Sequence, residues 1–449
     1  MRNFASVDKL LEDERIKPLH LILSRPICAD VIRTVLAALR TETDEDTSYN
    51  YDAIVAKCLT ALQIKIKRPL QKIINASGTI LHTNLGRSPL SKELWRQAEF
   101  LNTNHINLEY HINQQKRGGR AGFVNELLCK LTGAEAALVV NNNAAAIYLI
   151  LKTLAGEGQV IISRGELVQI GGGFRIPDIM AEAGSRLVEV GTTNITTVDD
   201  YIHAITEHTK LLLKVHSSNF KIRGFTSSPS IKELRAALPS HIPLVYDEGA
   251  GVLEAGLSED ISIKQALKEG ADLVCFSGDK FLGSVQAGII VGKKAYIDRL
   301  AGHPLMRAFR CGKVILSLLE ASLIDKLNNS ERPIGYAAQL LAIKPTKVKA
   351  QAERLAKALP VGLAEVIEAD VEVGGGSLPD EFYPSYAVAI NCKVSLKVNQ
   401  LVTALHNLPV PILGRVAEDR LLIYLLTIKE EDMDYAAEAL VKILGKKDE

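Results

Sequence analysis

The residues best placed to do chemistry are a lysine and an aspartate. Lys280 lies in Phe276-Ser277-Gly278-Asp279-Lys280-Phe281-Leu282-Gly283, between the apolar runs Ala271 to Cys275 and Ala287 to Val291. An apolar run bounded by turn residues reads as a buried strand, so Ser-Gly-Asp-Lys delivers its polar groups to the strand's exit. An amine at such a mouth, partly desolvated and near other positive charge, loses its proton more easily and can attack a carbonyl to form an imine. A lone lysine in a turn is by default only a solvated side chain. Asp247 changes that weighing, because it ends the preceding strand pattern in Leu244-Val245-Tyr246-Asp247-Glu248-Gly249, at the same edge of the sheet. Pyridoxal phosphate needs that pair: a lysine that forms the imine, and a carboxylate that keeps the pyridine nitrogen protonated so that the ring acts as an electron sink.

The elements that must position them follow from periodicity. From Ala134 onward strand and helix patterns alternate, with strands expected at Ala136 to Val140, Val160 to Ser163, Leu187 to Val190, Leu211 to Val215, Leu244 to Tyr246 and Leu273 to Phe276. Such alternation predicts an α/β fold, a mainly parallel sheet of the seven-stranded type with helices on both faces. Ligands then belong at the carboxyl ends of the strands. Asn141-Asn142-Asn143 precedes a helical pattern from Ala144 to Leu154. A helix start exposes unpaired N–H groups, so Asn142, Asn143 and Ala144 either cradle a phosphate or simply cap the helix. Ser277 offers a hydroxyl to the same phosphate, and His216, at a strand end, is either a cofactor neighbour or a hydrogen-bonded structural histidine. The polar, glycine-bearing segment Ile73 to Leu90 suits a loop crossing a cleft. Within it Arg87 is an anion ligand or a salt-bridge partner. Gln115-Lys116-Arg117-Gly118-Gly119-Arg120 concentrates charge in the same ambiguous way, as a phosphate contact or a solvated turn.

Composition narrows the class of protein. The chain has 449 residues, 47% hydrophobic and 23% charged, which suits a soluble globular protein with one large domain and one or two smaller ones. With 53 Lys+Arg against 52 Asp+Glu the net charge is +1, so any nucleic-acid site must be a local patch. Cys28, Cys58, Cys129, Cys275, Cys311 and Cys392 are far apart with no Cys-x-x-Cys pair, which argues against zinc and against a disulfide framework. No apolar run is long enough to span a bilayer, and the chain is expected to be cytoplasmic. Val31-Ile32-x-x-Val35-Leu36-x-x-Leu39 and Ile54-Val55-x-x-Cys58-Leu59-x-x-Leu62 repeat at helical spacing, so residues 1–65 form a small helical module. Its basic residues Lys17, Arg25, Arg33 and Arg40 are balanced by acids and read as a solvated face. Residues 331–449 mix strand and helix patterns, as a small α+β domain would.

These stretches together resemble the L-seryl-tRNA(Sec) selenium transferase family, the bacterial selenocysteine synthases, which are pyridoxal-phosphate enzymes of the aspartate-aminotransferase fold group, fold type I. The matches run nearly end to end: Ser6-Val7-Asp8-Lys9-Leu10-Leu11, Asn75 to Leu90, Asn141 to Ala146, Ser163-Arg164-Gly165-Glu166-Leu167-Val168, Phe174-Arg175-Ile176-Pro177-Asp178, Lys214-Val215-His216-Ser217-Ser218-Asn219 and Ser277-Gly278-Asp279-Lys280. Later come His303-Pro304-Leu305-Met306-Arg307-Ala308-Phe309-Arg310, Gly374-Gly375-Gly376-Ser377-Leu378-Pro379 and Gly414-Arg415-Val416. The resemblance implies that Lys280 carries the cofactor, that Asp247 partners its pyridine nitrogen, and that Arg87, Arg307 and Arg310 line the site and hold the selenium donor's anion. Arg307 and Arg310, three apart, would share a helix face and grip one anion. It further implies conversion of seryl-tRNA(Sec) to selenocysteyl-tRNA(Sec) through a dehydroalanyl intermediate, with selenophosphate as donor. It also implies tRNA binding by residues 1–65, a large cofactor-binding domain over 66–330, a smaller domain over 331–449, and a homodecamer built as a pentamer of dimers.

The chain departs from the family pattern at several points. Asp247-Glu248-Gly249-Ala250-Gly251 stands where Asp-Leu-Gly-Ser-Gly is expected, Ser284-Val285 where Gly-Pro is usual, Gly118-Gly119-Arg120 for Gly-Ser-Arg, and Cys311-Gly312-Lys313 for Val-Asp-Lys. These bear on substrate more than on cofactor. Two rival readings use the same residues: a lyase eliminating ammonia from a small phosphorylated acid, and a tRNA-binding protein without catalysis. The N-terminal module counts against the first, and the intact Lys280 and Asp247 against the second.

Overall fold

In the computed structural model, which describes residues 5–41, 50–66, 70–170, 173–216, 220–253, 261–374, 381–391 and 397–445, the expected alternation becomes a seven-stranded sheet. Twelve strands organise the chain from residue 74 onward. They are β1 (Ile74–Ala76), β2 (Ala136–Val140), β3 (Gln159–Ser163), β4 (Arg186–Val190), β5 (Thr209–Val215), β6 (Leu244–Gly249), β7 (Leu273–Ser277), β8 (Gly288–Gly292), β9 (Ala364–Glu368), β10 (Tyr386–Ile390), β11 (Ile412–Ala417) and β12 (Arg420–Tyr424). The large sheet runs β2-β8-β7-β6-β5-β3-β4, parallel except for β8, which is antiparallel to both neighbours.

Side chains alternate between the two faces of that sheet, and both faces are covered. Ala137, Val139, Leu244, Tyr246, Val274 and Phe276 pack into one apolar cluster with residues of the helices Gly122–Thr132 and Lys313–Asn328. Leu138, Val140, Val245, Leu273 and Cys275 pack into another, with the helices Asn143–Ile150, Ile176–Ala183 and Lys294–Ala301. Strands buried on both faces read as continuous apolar runs, which is why they stood out in the sequence. Each fully buried Val, Leu or Ile contributes about 1.5–3 kcal/mol relative to exposure.

A second sheet, β1-β11-β12-β10-β9, carries the C-terminal part. Its first strand comes from the segment expected to be a loop: Ile74–Ala76 pairs in parallel with β11, while Thr83–Leu85 beyond it forms only a 3-10 turn. The partner lies roughly 340 residues downstream, beyond the reach of local periodicity. The core beneath this sheet includes Ala250, Val252 and Phe281 from the loops after β6 and β7, so the small sheet packs directly behind the residues flanking Asp247 and Lys280.

Residues 1–73 form a separate compact unit. Helices Arg25–Thr41 and Tyr51–Ile66 match the two periodic stretches, and Leu10, Leu11, Cys28, Ile32, Leu36, Ile54, Cys58 and Leu62 make its core. Lys17 pairs with Glu12, Arg25 with Asp8 and Glu12, and Arg33 with Asp30. Cys28, Cys58, Cys129, Cys275 and Cys311 are free thiols. No helix among the described residues is long and apolar enough to cross a membrane. Ser217-Ser218-Asn219, residues 375–379 and Cys392 lie outside the described residues.

Candidate active site

In-register pairing of parallel strands brings the candidate residues to one edge. Asp247 in β6 sits beside Val215 of β5 on one side and Cys275 of β7 on the other, so His216 and Ser277 emerge next to it. The backbone N–H of His216 donates to the Asp247 carbonyl at 2.9 Å. Past Ser277 the chain turns, the Gly278 N–H bonding to the Ala287 carbonyl at 2.9 Å, and this turn presents Lys280. The result is a cavity of about 460 Å³ whose wall includes Lys280, Asp247, His216, Ser277, Arg87, Asn142, Asn143 and Ala144. Thr83, Gly249, Asp279 and Gln286 complete much of the rest.

The Asn-rich turn divides its work in a way the sequence left open. Asn142 is the helix cap: its Oδ1 accepts from the Ala145 N–H at 2.8 Å. Asn143 points elsewhere, donating through Nδ2 to Asp247 Oδ1 at 2.8 Å. The N–H groups of Asn143 and Ala144 are the first of the helix, where no intrahelical acceptor exists, and both residues line the cavity. The fit is tight: a Cβ on Gly288 would collide with the Asn142 carbonyl, so β8 passes directly beneath the turn.

Burial controls the charges. Lys280 is 4% exposed, and burial together with the nearby Arg87 guanidinium pushes its amine down to about 8, against the opposing pull of Glu248, Asp247 and Asp279. Burial raises the Asp247 carboxyl, while the Asn143 hydrogen bond and the Lys280 charge act the other way. The Cys275 thiol donates to the same Oδ1 at 3.5 Å. Glu248 turns away from the cavity and accepts the N–H groups of Gly251 at 2.5 Å and Val252 at 3.1 Å; burial still pushes it up to about 7.

These residues fit pyridoxal phosphate. A buried carboxylate with two neutral donors is costly in isolation, and a pyridinium N–H is the cationic partner that would hold it ionised. The Asn143 Oδ1 is buried without a hydrogen-bond partner, an acceptor left for a bound group. The helix start suits a phosphate, and the depressed amine suits imine formation.

Arg87 stands at the rim with φ of 61°, in the left-handed region that a non-glycine residue occupies at a cost. Its Nη1 meets both oxygens of Asp279, at 3.0 and 3.1 Å, so the salt bridge of the sequence reading is formed by a residue that also lines the cavity. Arg307 and Arg310 stand outside the cavity wall. The helix Met306–Phe309 is a single turn, Arg307 on it is exposed, and Arg310 caps it with extended backbone, so the two do not share a helix face. Arg310 instead pairs with Glu109 at 3.0 Å. Its segment is nevertheless tied to the Asn-rich turn, because Asn141 donates to the carbonyls of Phe309 at 3.0 Å and Ala308 at 3.2 Å. Sequence reasoning missed Asp279 as the partner of Arg87, although its place beside Lys280 was a signal. It also missed Glu109, for which the neighbouring run of basic residues was the only hint.

A family model described as L-seryl-tRNA selenium transferase matches residues 73–429. An L-seryl-tRNA(Sec) selenium transferase of Haemophilus influenzae (strain PittEE) is 42% identical over 432 residues, covering 93% of this chain and 94% of that protein. One from Alkaliphilus oremlandii (strain OhILAs) is 39% identical, covering 98% and 97%. Among solved structures, D-glucosaminate-6-phosphate ammonia-lyase superposes with a TM-score of 0.60 at 22% identity over 84% of this chain and 96% of that one, a likeness of fold.

Proposed function

Because the chain belongs to the L-seryl-tRNA selenium transferase family, we propose that it converts seryl-tRNA(Sec) to selenocysteyl-tRNA(Sec) with pyridoxal phosphate as cofactor and selenophosphate as donor. One observation carries the reading: a buried Lys280, its amine held below the ordinary lysine value, shares a cavity with Asp247 and a helix start, in a chain whose relatives bear that name.

When bound, the cofactor supplies an electron sink for the pair released at the seryl Cα. Lys280 would be the residue that holds it covalently, through Nζ. Burial and Arg87 hold the Lys280 amine below its ordinary value, which suits Nζ to accept the Cα proton. Asp247, held by Asn143 and Cys275, keeps the pyridine nitrogen protonated. The N–H groups of Asn143 and Ala144 and the Ser277 hydroxyl bind the phosphate. The seryl hydroxyl would leave Cβ as water with the proton that Lys280 carries, and the donor's selenium would bond to Cβ as its bond to phosphorus breaks and a water takes the phosphoryl group as inorganic phosphate. Arg87 at the rim, and Arg307 and Arg310 beside the phosphate turn, bind the anionic donor and offset its charge. Residues 1–65 hold the tRNA, and the protein works in the cytoplasm as a homo-oligomer, a pentamer of dimers.

The test is reconstitution with seryl-tRNA(Sec), selenophosphate and cofactor, scored as selenocysteyl-tRNA formed. Wild type is expected to turn over and Lys280→Ala to be inert. Filter binding should show tRNA(Sec) retained by the full chain and lost on deletion of residues 1–65. Turnover by the Lys280→Ala protein at near wild-type rate would sink the mechanism.

A further inference from the structure

The basic run Gln115 to Arg120 has no part in the mechanism above, yet it is built into a specific cluster. The Gly118 N–H donates to the Glu109 carbonyl at 2.9 Å and closes a hairpin of two short strands, Tyr110–His111 and Lys116–Arg117. Closure puts the Glu109 carboxylate among arginines. Arg117 Nη2 donates to its Oε2 at 3.0 Å and Arg120 Nε to its Oε1 at 2.5 Å. Arg310, from a segment 201 residues away, donates through Nη1 to the same Oε1 at 3.0 Å. Arg120 also donates to the Cys311 carbonyl at 3.0 Å, tying the hairpin to the segment that bears Arg310.

The charge count is lopsided. Three guanidiniums share one carboxylate, and among the described residues no second acid pairs with any of them. Like charges this close repel unless a counter-charge stands between them. Glu109, Arg120 and Arg310 are only about a quarter to a third exposed, with side-chain exposures of 26%, 25% and 30%, where screening by salt is weaker than on open surface. Arg310 uses one nitrogen on Glu109, and the rest of its planar fork can meet phosphate oxygens.

We propose that Glu109 is a positioning residue for the selenium donor: it assembles Arg117, Arg120 and Arg310 into one cluster whose surplus positive charge binds the donor's phosphate oxygens. The inference rests on the assignment of Arg310 to the donor made above. Glu109 therefore acts through the arginines, and its removal leaves them to splay apart.

Steady-state kinetics of the full-length holoenzyme separate the two assignments. Glu109→Ala and the isosteric Glu109→Gln should raise the KM for selenophosphate about tenfold, the effect expected when a charge-assisted contact is misplaced. The KM for seryl-tRNA(Sec) should stay within about twofold, and Glu109→Asp should restore most of the donor KM. The inhibition constant of inorganic phosphate should rise in parallel. Should Glu109→Ala fail to fold, Glu109→Gln carries the test, because it keeps the size of the side chain and removes its charge. An unchanged donor KM in Glu109→Gln, with a raised one in Arg310→Ala, would overturn the role of Glu109 alone. An unchanged donor KM in Arg310→Ala would overturn the assignment beneath it. Tighter donor binding in Glu109→Gln would make the carboxylate a competitor and overturn the proposal as well.

Discussion

The amine of Lys280 in the cofactor-free protein offers a direct measurement. Burial and the Arg87 charge bring it from an ordinary value of 10.5 to about 8. At pH 7 such an amine is neutral about once in eleven, an ordinary lysine roughly once in three thousand, so the reactive fraction differs by roughly 300-fold. Competitive labelling with trace amounts of a small neutral acylating reagent, read at the Lys280 peptide by mass spectrometry, should therefore give a titration with its midpoint near 8. The perturbation is Arg87→Gln. It removes the positive charge facing the amine and releases Asp279, whose carboxylate also favours the protonated form. Both changes push the same way, so the midpoint should rise by on the order of one unit and labelling at pH 7 should fall about tenfold. A wild-type midpoint above about 9.5, within the ordinary lysine range, would refute the claim that burial prepares this amine. So would an Arg87→Gln midpoint that stays put or moves down.

Three further outcomes follow from the same geometry. Asp247→Asn keeps shape but not charge; cofactor affinity should fall about tenfold and turnover on the order of a hundredfold or more, and a variant with wild-type absorbance titration and rate would end the pairing with the pyridine nitrogen. Glu248 is raised from 4.5 to about 7, so the folded state holds its proton more tightly than the unfolded one and stability is lost as pH rises through that window. The stability difference between wild type and Glu248→Gln, followed by chemical denaturation, should shift by roughly 3 kcal/mol in favour of the variant between about pH 4.5 and 7.5, and a flat difference would contradict it. Gly288→Ala should drive a methyl into the Asn142 carbonyl, costing about 1–3 kcal/mol and weakening phosphate capture. Unaltered cofactor affinity in a variant that melts like wild type would show that the turn is looser than described.

Much of the site was legible because its residues lie where strands end. Val215-His216, Asp247 and Ser277 to Lys280 follow apolar runs, and parallel pairing then carries them to one edge whatever the order of the strands. What sequence could not convey were the partners of flexible side chains. The Asn143 side chain turning to Asp247, Arg87 clasped by Asp279, and Arg310 held by Glu109 depend on contacts 104, 192 and 201 residues apart. The helix face expected for Arg307 and Arg310 failed for a local reason, since the turn from Met306 ends at Phe309 and leaves Arg310 extended. The reversed direction of β8 and the recruitment of Ile74–Ala76 into the C-terminal sheet were equally hidden, being matters of which strand finds which.

That last strand imposes a wait during synthesis. At ribosomal speeds of about 5–20 residues per second, the partner of Ile74–Ala76 emerges on the order of half a minute after it does. Through that interval the large sheet can form while a short apolar edge remains single, open to pairing with a neighbouring nascent chain. Emergence of Ile412–Ala417, more than any early folding event, is thus the moment at which the backbone behind Lys280 becomes closed.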